Sequence, residues 1–102
     1  PYTTLFRSSV AVLFSTLASV SFAGDAAAGK AKSMTCAGCH GANGISNNPM
    51  WPNLAGQKQA YLASSLQMYR DGRRKNAMMS AMAKNLTDAD IANLAAYYSG
   101  LK

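Results

Sequence analysis

The sequence predicts an all-α fold of three main helices joined by loops. Three observations lead there. Apolar residues recur at helical spacing in two stretches, cap and stop residues bracket those stretches, and no run of alternating apolar and polar residues marks a strand. No internal repeat is present, and 102 residues allow one domain.

Each element has its own signal. Residues 24–35 are rich in Ala and Lys, with Asp25 placed early, where a negative charge meets the positive end of a helix. Residues 38–56 read as loop, because Gly41, Gly44, Asn47, Asn48, Pro49, Pro52 and Asn53 are turn formers. Residues 57–71 return to a helical pattern, with Leu62, Leu66 and Tyr69 at i, i+4 and i+7 and a stop at Gly72. Residues 73–86 read as irregular and carry a cluster of Met. Thr87 and Asp90 resemble a capping box with Asp in place of Glu. The helix they open sets Ile91, Leu94, Ala95 and Tyr98 on one face and ends at Gly100.

The N-terminal stretch is expected to be an address rather than structure. Arg7 precedes an apolar run of about a dozen residues, and small residues stand at Ser21 and Ala23, the layout of a secretory signal cleaved after Ala23. The run is shorter than the roughly 20 residues that span a bilayer, so no stable membrane insertion is expected after cleavage. The organisation expected is therefore a signal over residues 1–23 and one domain over residues 24–102. A domain so small gains too little from apolar burial alone and needs a staple.

Composition narrows the chemistry. Ten Lys and Arg oppose four acids, giving +6, and there is one His and two Cys. The acids are all Asp. Asp25, Asp88 and Asp90 fall in first helical turns and Asp71 falls just before a stop, so structure accounts for each. Paired carboxylates and a Ser/His/Asp set have almost nothing to draw on, and no enzymatic activity is expected.

The strongest signal is Cys36-Ala37-Gly38-Cys39-His40, a C-x-x-C-H pattern that marks attachment of a c-type haem. Two thiols three positions apart can each form a thioether with one vinyl group on a haem edge. The His directly after the second Cys then swings under the ring, where its Nε2 reaches the iron. Ala37 and Gly38 are small enough to let a porphyrin edge lie close to the backbone. A thioredoxin-like pair needs a βαβ setting, which the pattern lacks. A structural zinc site needs four ligands, and no second pair exists. A Cys36–Cys39 disulfide would close a tiny loop and add little. The expected cofactor is one covalently bound haem c.

With these residues in view, the chain from Gly24 onward resembles the small class I c-type cytochromes of bacterial periplasms. It is most similar to single domains of the kind found paired in di-haem cytochromes. The resemblance rests on Gly24 and Asp25, Gly29 and Lys30, Cys36 to Gly41, Pro52 to Gln57, Tyr61 and Leu62, Gly72 and Arg73, the Met cluster, Leu86 to Asp88, and Leu94 to Tyr97. It implies a small cytochrome c fold with helices and loops wrapped around the haem, and a Met thioether as the second axial ligand. Physics alone does not separate Met78, Met79 and Met82. The family's ligand stands seven residues before the Leu preceding the last helix cap; Leu86 holds that place, which selects Met79. The resemblance also implies that the Pro52 carbonyl accepts the Nδ1 proton of His40, and that Arg73 lies near a haem propionate. Trp51, Tyr61 and Tyr69 are expected in the wall of the haem pocket, and Gly29 and Tyr97 at a close crossing of the first and last helices.

A six-coordinate iron has no open position for substrate, so one-electron transfer is the function this reading implies, in a periplasmic carrier. Two alternatives stay open: a haem subunit of a larger oxidoreductase, and a haem protein whose Met dissociates to bind a small ligand. Lys30, Lys32, Lys58, Arg70, Arg73, Arg74, Lys75 and Lys84 would present a positive field to redox partners that are acidic at the docking surface. No nucleic-acid partner is expected for an exported protein.

Overall fold

The computed structural model describes residues 24–102, so the expected signal segment lies outside the described residues. Five helices follow one another with no strand among the described residues: α1 (Ala26–Lys32), α2 (Ala37–His40), α3 (Gln59–Asp71), α4 (Ala77–Ala83) and α5 (Asp88–Ser99). A single 3-10 turn, Ser33–Thr35, joins α1 to α2.

The caps are the ones the residue types favour. The Asp25 carboxylate accepts from the Ala27 and Ala28 N–H groups at 2.9 and 3.3 Å and opens α1. Thr87 and Asp90 form a closed capping box on α5: the Asp90 N–H donates to Thr87 Oγ1, and the Thr87 N–H donates to Asp90 Oδ2, both at 3.0 Å. Gly72, at φ 78°, ends α3.

Residues 73–86 are not irregular throughout. Asn76 caps α4, and Ala77–Ala83 is helical. Six of those seven residues are Ala or Met, which favour a helix on propensity. Apolar positions follow one another with almost no polar interruption there, so no period was visible in the sequence. The loop after the first Cys is also shorter than expected, since residues 37–40 close one α-helical turn before the chain leaves at Gly41.

The core lies where α3 and α5 meet. Leu62, Leu94, Ala95 and Tyr98 are buried together, with Cys36, Leu54, Leu66, Leu86, Tyr97 and Leu101 packed around them. Helix α1 has little apolar side chain to contribute and instead lies across α5 through Gly29, its one buried residue. The Asp25 N–H donates to Asn93 Oδ1 at 2.7 Å and fixes the start of α1 on α5. The long loop is tied to the same helix, because the Gly56 N–H donates to the Tyr98 carbonyl at 2.9 Å. These contacts bring residues 36–40, the loop around residue 52 and α4 into one domain.

Candidate functional site

The site begins with one turn of helix. Cys36 is the N-cap of α2, and its carbonyl accepts from the Cys39 and His40 N–H groups at 3.3 and 3.0 Å. Positions i, i+3 and i+4 of a helix share a face, so both thiols and the imidazole project from the same side. Gly41 then takes φ 87°, and a Cβ there would run into the Ile45 carbonyl. The turn that follows His40 therefore requires Gly.

His40 is 6% exposed, and its Nδ1 lies 2.8 Å from the Pro52 carbonyl oxygen. A carbonyl can only accept, so Nδ1 carries a proton, and in the neutral ring Nε2 is the nitrogen left with a lone pair. The bond fixes the ring's tautomer and direction, the arrangement by which outer partners prepare a His for a metal.

Neither Cys36 nor Cys39 is in a disulfide, and both are half-buried. Burial pushes the Cys36 thiol above its ordinary value, so it remains a neutral thiol. The same burial, with Cys36 beside it, pushes the Tyr98 phenol well up. Trp51 is half-buried and lines a cleft of about 200 Å³ together with Gly38, Cys39, Asn47 and Asn48. Among the described residues, no group of three or more His, Cys, Asp or Glu could hold a bare metal ion. Two free thiols and one oriented imidazole fit instead a metal that arrives inside its own ring.

The three candidate Met residues differ in setting. Met78 and Met82 are 56% and 48% exposed, whereas Met79 is half-buried on the side of α4 that ends at the fully buried Ala83. Met34 and Met50 point into solvent, and Met68 is half-buried in α3.

Arg73 points outward, 62% exposed, and pairs with Asp71 at 3.1 Å. Its neighbour Arg74 is exposed as well but folds back along α3. The Arg74 guanidinium lies 4.7 Å above the Tyr69 ring and donates to Ser65 Oγ at 3.4 Å, while its backbone N–H donates to the Met68 carbonyl at 3.1 Å. Tyr61 joins this group, and its hydrogen bond to Arg74 lowers the phenol's pKa. Sequence reasoning placed Arg74 only in the general positive field; two adjacent Arg after a left-handed Gly carry no mark of which folds back onto α3. Asn76 was also missed, although an Asn directly before an apolar run is an N-cap signal.

An all-helical domain that offers two free thiols and one prepared imidazole nitrogen from a single turn defines a c-type haem protein. The chain belongs to the cytochrome c family, whose model, described as Cytochrome c, matches residues 26–102. It is 55% identical over 80 residues to cytochrome c-554(548) of Halomonas halodenitrificans, covering 76% of this chain and 96% of that one. It is 47% identical over 77 residues to a protein of Thiomonas intermedia (strain K12) named thiosulfate dehydrogenase electron acceptor, covering 74% of this chain and 36% of that one. The crystal structure of reduced recombinant cytochrome c4 from Pseudomonas stutzeri superposes with a TM-score of 0.74 at 40% identity, over 78% of this chain and 46% of that one. The chain thus spans nearly all of the first relative and less than half of the other two. Members of this family bind haem covalently and transfer electrons. Among the described residues, no helix is long and apolar enough to cross a membrane.

Proposed function

We propose that residues 24–102 form a periplasmic electron carrier holding one haem c, with thioethers at Cys36 and Cys39 and axial ligation by His40 and Met79. The single observation that carries this reading is the bond from His40 Nδ1 to the Pro52 carbonyl, which turns Nε2 into the available ligand beside two free thiols. The half-burial of Met79, set against the exposure of Met78 and Met82, supports the second ligand.

The group, when bound, supplies a one-electron Fe(III)/Fe(II) couple. The chain's own residues do the rest. Pro52 holds the imidazole proton at Nδ1, the two Cys fix the ring's edge to α2, and the soft Met79 sulfur favours the reduced state. Ligation by both His40 and Met79 would leave the group no open position for substrate and would suit the domain to passing electrons. The name of the Thiomonas relative supports a partnership with an oxidoreductase.

Lys32, Arg70 and Arg73 are engaged with Asp side chains, while Lys30, Lys58, Lys75 and Lys84 form no ion pair among the described residues. These four lysines support docking to an acidic redox partner. Export and removal of residues 1–23 complete the reading.

Protein matured in a haem-attaching host tests it. The intact mass is expected to equal residues 24–102 plus one haem. The oxidised spectrum is expected to show the thioether charge-transfer band at its red end, lost in Met79→Ala and kept in Met78→Ala. Colourless protein of unmodified mass would refute the haem; loss of the band in Met78→Ala alone would move the ligand by one position.

A further inference from the structure

The segment between α3 and α5 carries Met79 and is held at both ends by arginines from or just after α3. At its start, Arg74 lies over Tyr69 and bonds Ser65. At its end, Arg70 donates to the Leu86 carbonyl at 3.2 Å and pairs with Asp88 at 2.8 Å. Between these anchors one residue addresses Met79 directly. The Met79 N–H donates to Asn76 Oδ1 at 3.0 Å, and the Ser80 N–H donates to the Asn76 carbonyl at 2.8 Å.

We infer that Asn76 is the positioning residue for the sixth ligand, its side chain holding the Met79 backbone so that the thioether stays on the iron. The inference rests on the assignment of Met79 given above.

The physical reason is the weakness of the element. Helix α4 has seven residues, and a helix that short is marginal in water without help from its ends. Its N-terminal N–H groups have no partner within the helix. Asn76 satisfies one of them, and that one belongs to the ligand residue itself. Without the cap the first turn frays, and Met79 lies within that turn. The two arginines keep the segment near α3, but neither touches Met79. Loss of Asn76 should therefore loosen the ligand more than it loosens the domain.

The test uses the haem-loaded protein and the variants Asn76→Ala, Asn76→Asp, Thr87→Ala and Met79→Ala. Imidazole is the probe, and the readouts are the red-end thioether band of the oxidised protein and the rate at which imidazole replaces the thioether. Asn76→Ala is expected to raise that rate about five-fold, the factor that matches the typical loss of an N-cap. Asn76→Asp keeps the acceptor and is expected to restore the original rate. Thr87→Ala removes a cap of similar worth from α5, and is expected to lower thermal stability while leaving imidazole exchange nearly unchanged. An unchanged rate in Asn76→Ala, or an equal rise in Thr87→Ala, would overturn the inference. Should Asn76→Ala accumulate poorly, Asn76→Gly, which also lacks the side-chain acceptor but caps better than Ala, takes its place, with a rise of about two-fold expected and an unchanged rate overturning the inference. Persistence of the band in Met79→Ala would instead overturn the ligand assignment, which separates the two failures.

Discussion

Gly29 of α1 lies directly on the Asn93 carbonyl of α5, so close that a Cβ at residue 29 would overlap that oxygen and stand 2.8 Å from Tyr97 Cβ. The helices can cross at this distance only because residue 29 has no side chain. The Asp25 N–H, bonded to the Asn93 side chain at 2.7 Å, holds the crossing from the other side of the same residue.

Gly29→Ala is therefore expected to destabilise the haem-loaded protein by about 3 kcal/mol, the upper part of the range for overpacking a close contact. The obstacle is backbone, which cannot move aside as a flexible side chain could. Gly100→Ala makes the control. Its Cβ would meet only the Ala96 and Tyr97 carbonyls at 3.5 and 3.7 Å, ordinary contact distances. It is expected to change stability by less than about 0.5 kcal/mol. Urea unfolding of both variants decides the matter, and equal midpoints would count against the crossing as the reason for Gly at position 29.

Asp90 gives the fold a dependence on acid. The Thr87 backbone N–H, bonded to its carboxylate, holds the Asp90 pKa below the usual carboxylate value. The Thr87 hydroxyl and Lys32, paired at 3.5 Å, act in the same direction, while desolvation opposes them. A group whose folded pKa is lowered contributes its stability above its unfolded pKa and loses it as pH falls through the folded one. Asp90→Ala is thus expected to be less stable than the original by about 1 kcal/mol at neutral pH, the scale of one helix-capping contact. The gap between the two should close in strong acid, where the original also loses its carboxylate. A gap of constant size across that range in denaturant titrations would show that the charge is not involved.

The net positive charge has a kinetic consequence. Oxidation of the reduced protein by hexacyanoferrate(III), an anion, is expected to slow as salt is added. Oxidation by tris(phenanthroline)cobalt(III), a cation, is expected to speed up or stay level. Neutralising Lys75 or Lys84, which form no ion pair among the described residues, should reduce the salt dependence for the anion more than neutralising the already paired Lys32. The same salt slope for both oxidants would remove the positive field as a feature of docking.

Much of this protein was legible in one dimension. Cys36, Cys39 and His40 needed only their spacing, because one helical turn brings i, i+3 and i+4 to the same face whatever surrounds it. The Thr87–Asp90 box and the Gly72 stop are equally local. Helix α4 is local too, yet its nearly unbroken run of Ala and Met hid the period that would have revealed it, and Asn76 went unread with it.

What the sequence determined by itself is therefore the chemistry held within a turn: the two thiols, the imidazole beside them, the Gly72 stop of α3 and the capping box of α5. The resemblance had named Met79 and the bond from His40 to the Pro52 carbonyl, and the fold supplies their physical ground, a half-buried Met79 and a 2.8 Å contact across 12 positions; only the tertiary structure decided that Arg74 rather than Arg73 lies over Tyr69 and that Asn93 meets Asp25 across 68. Contacts within a turn follow from bond geometry alone. Contacts between distant residues depend on how the helices pack, which here turns on the bare backbone of Gly29 against α5.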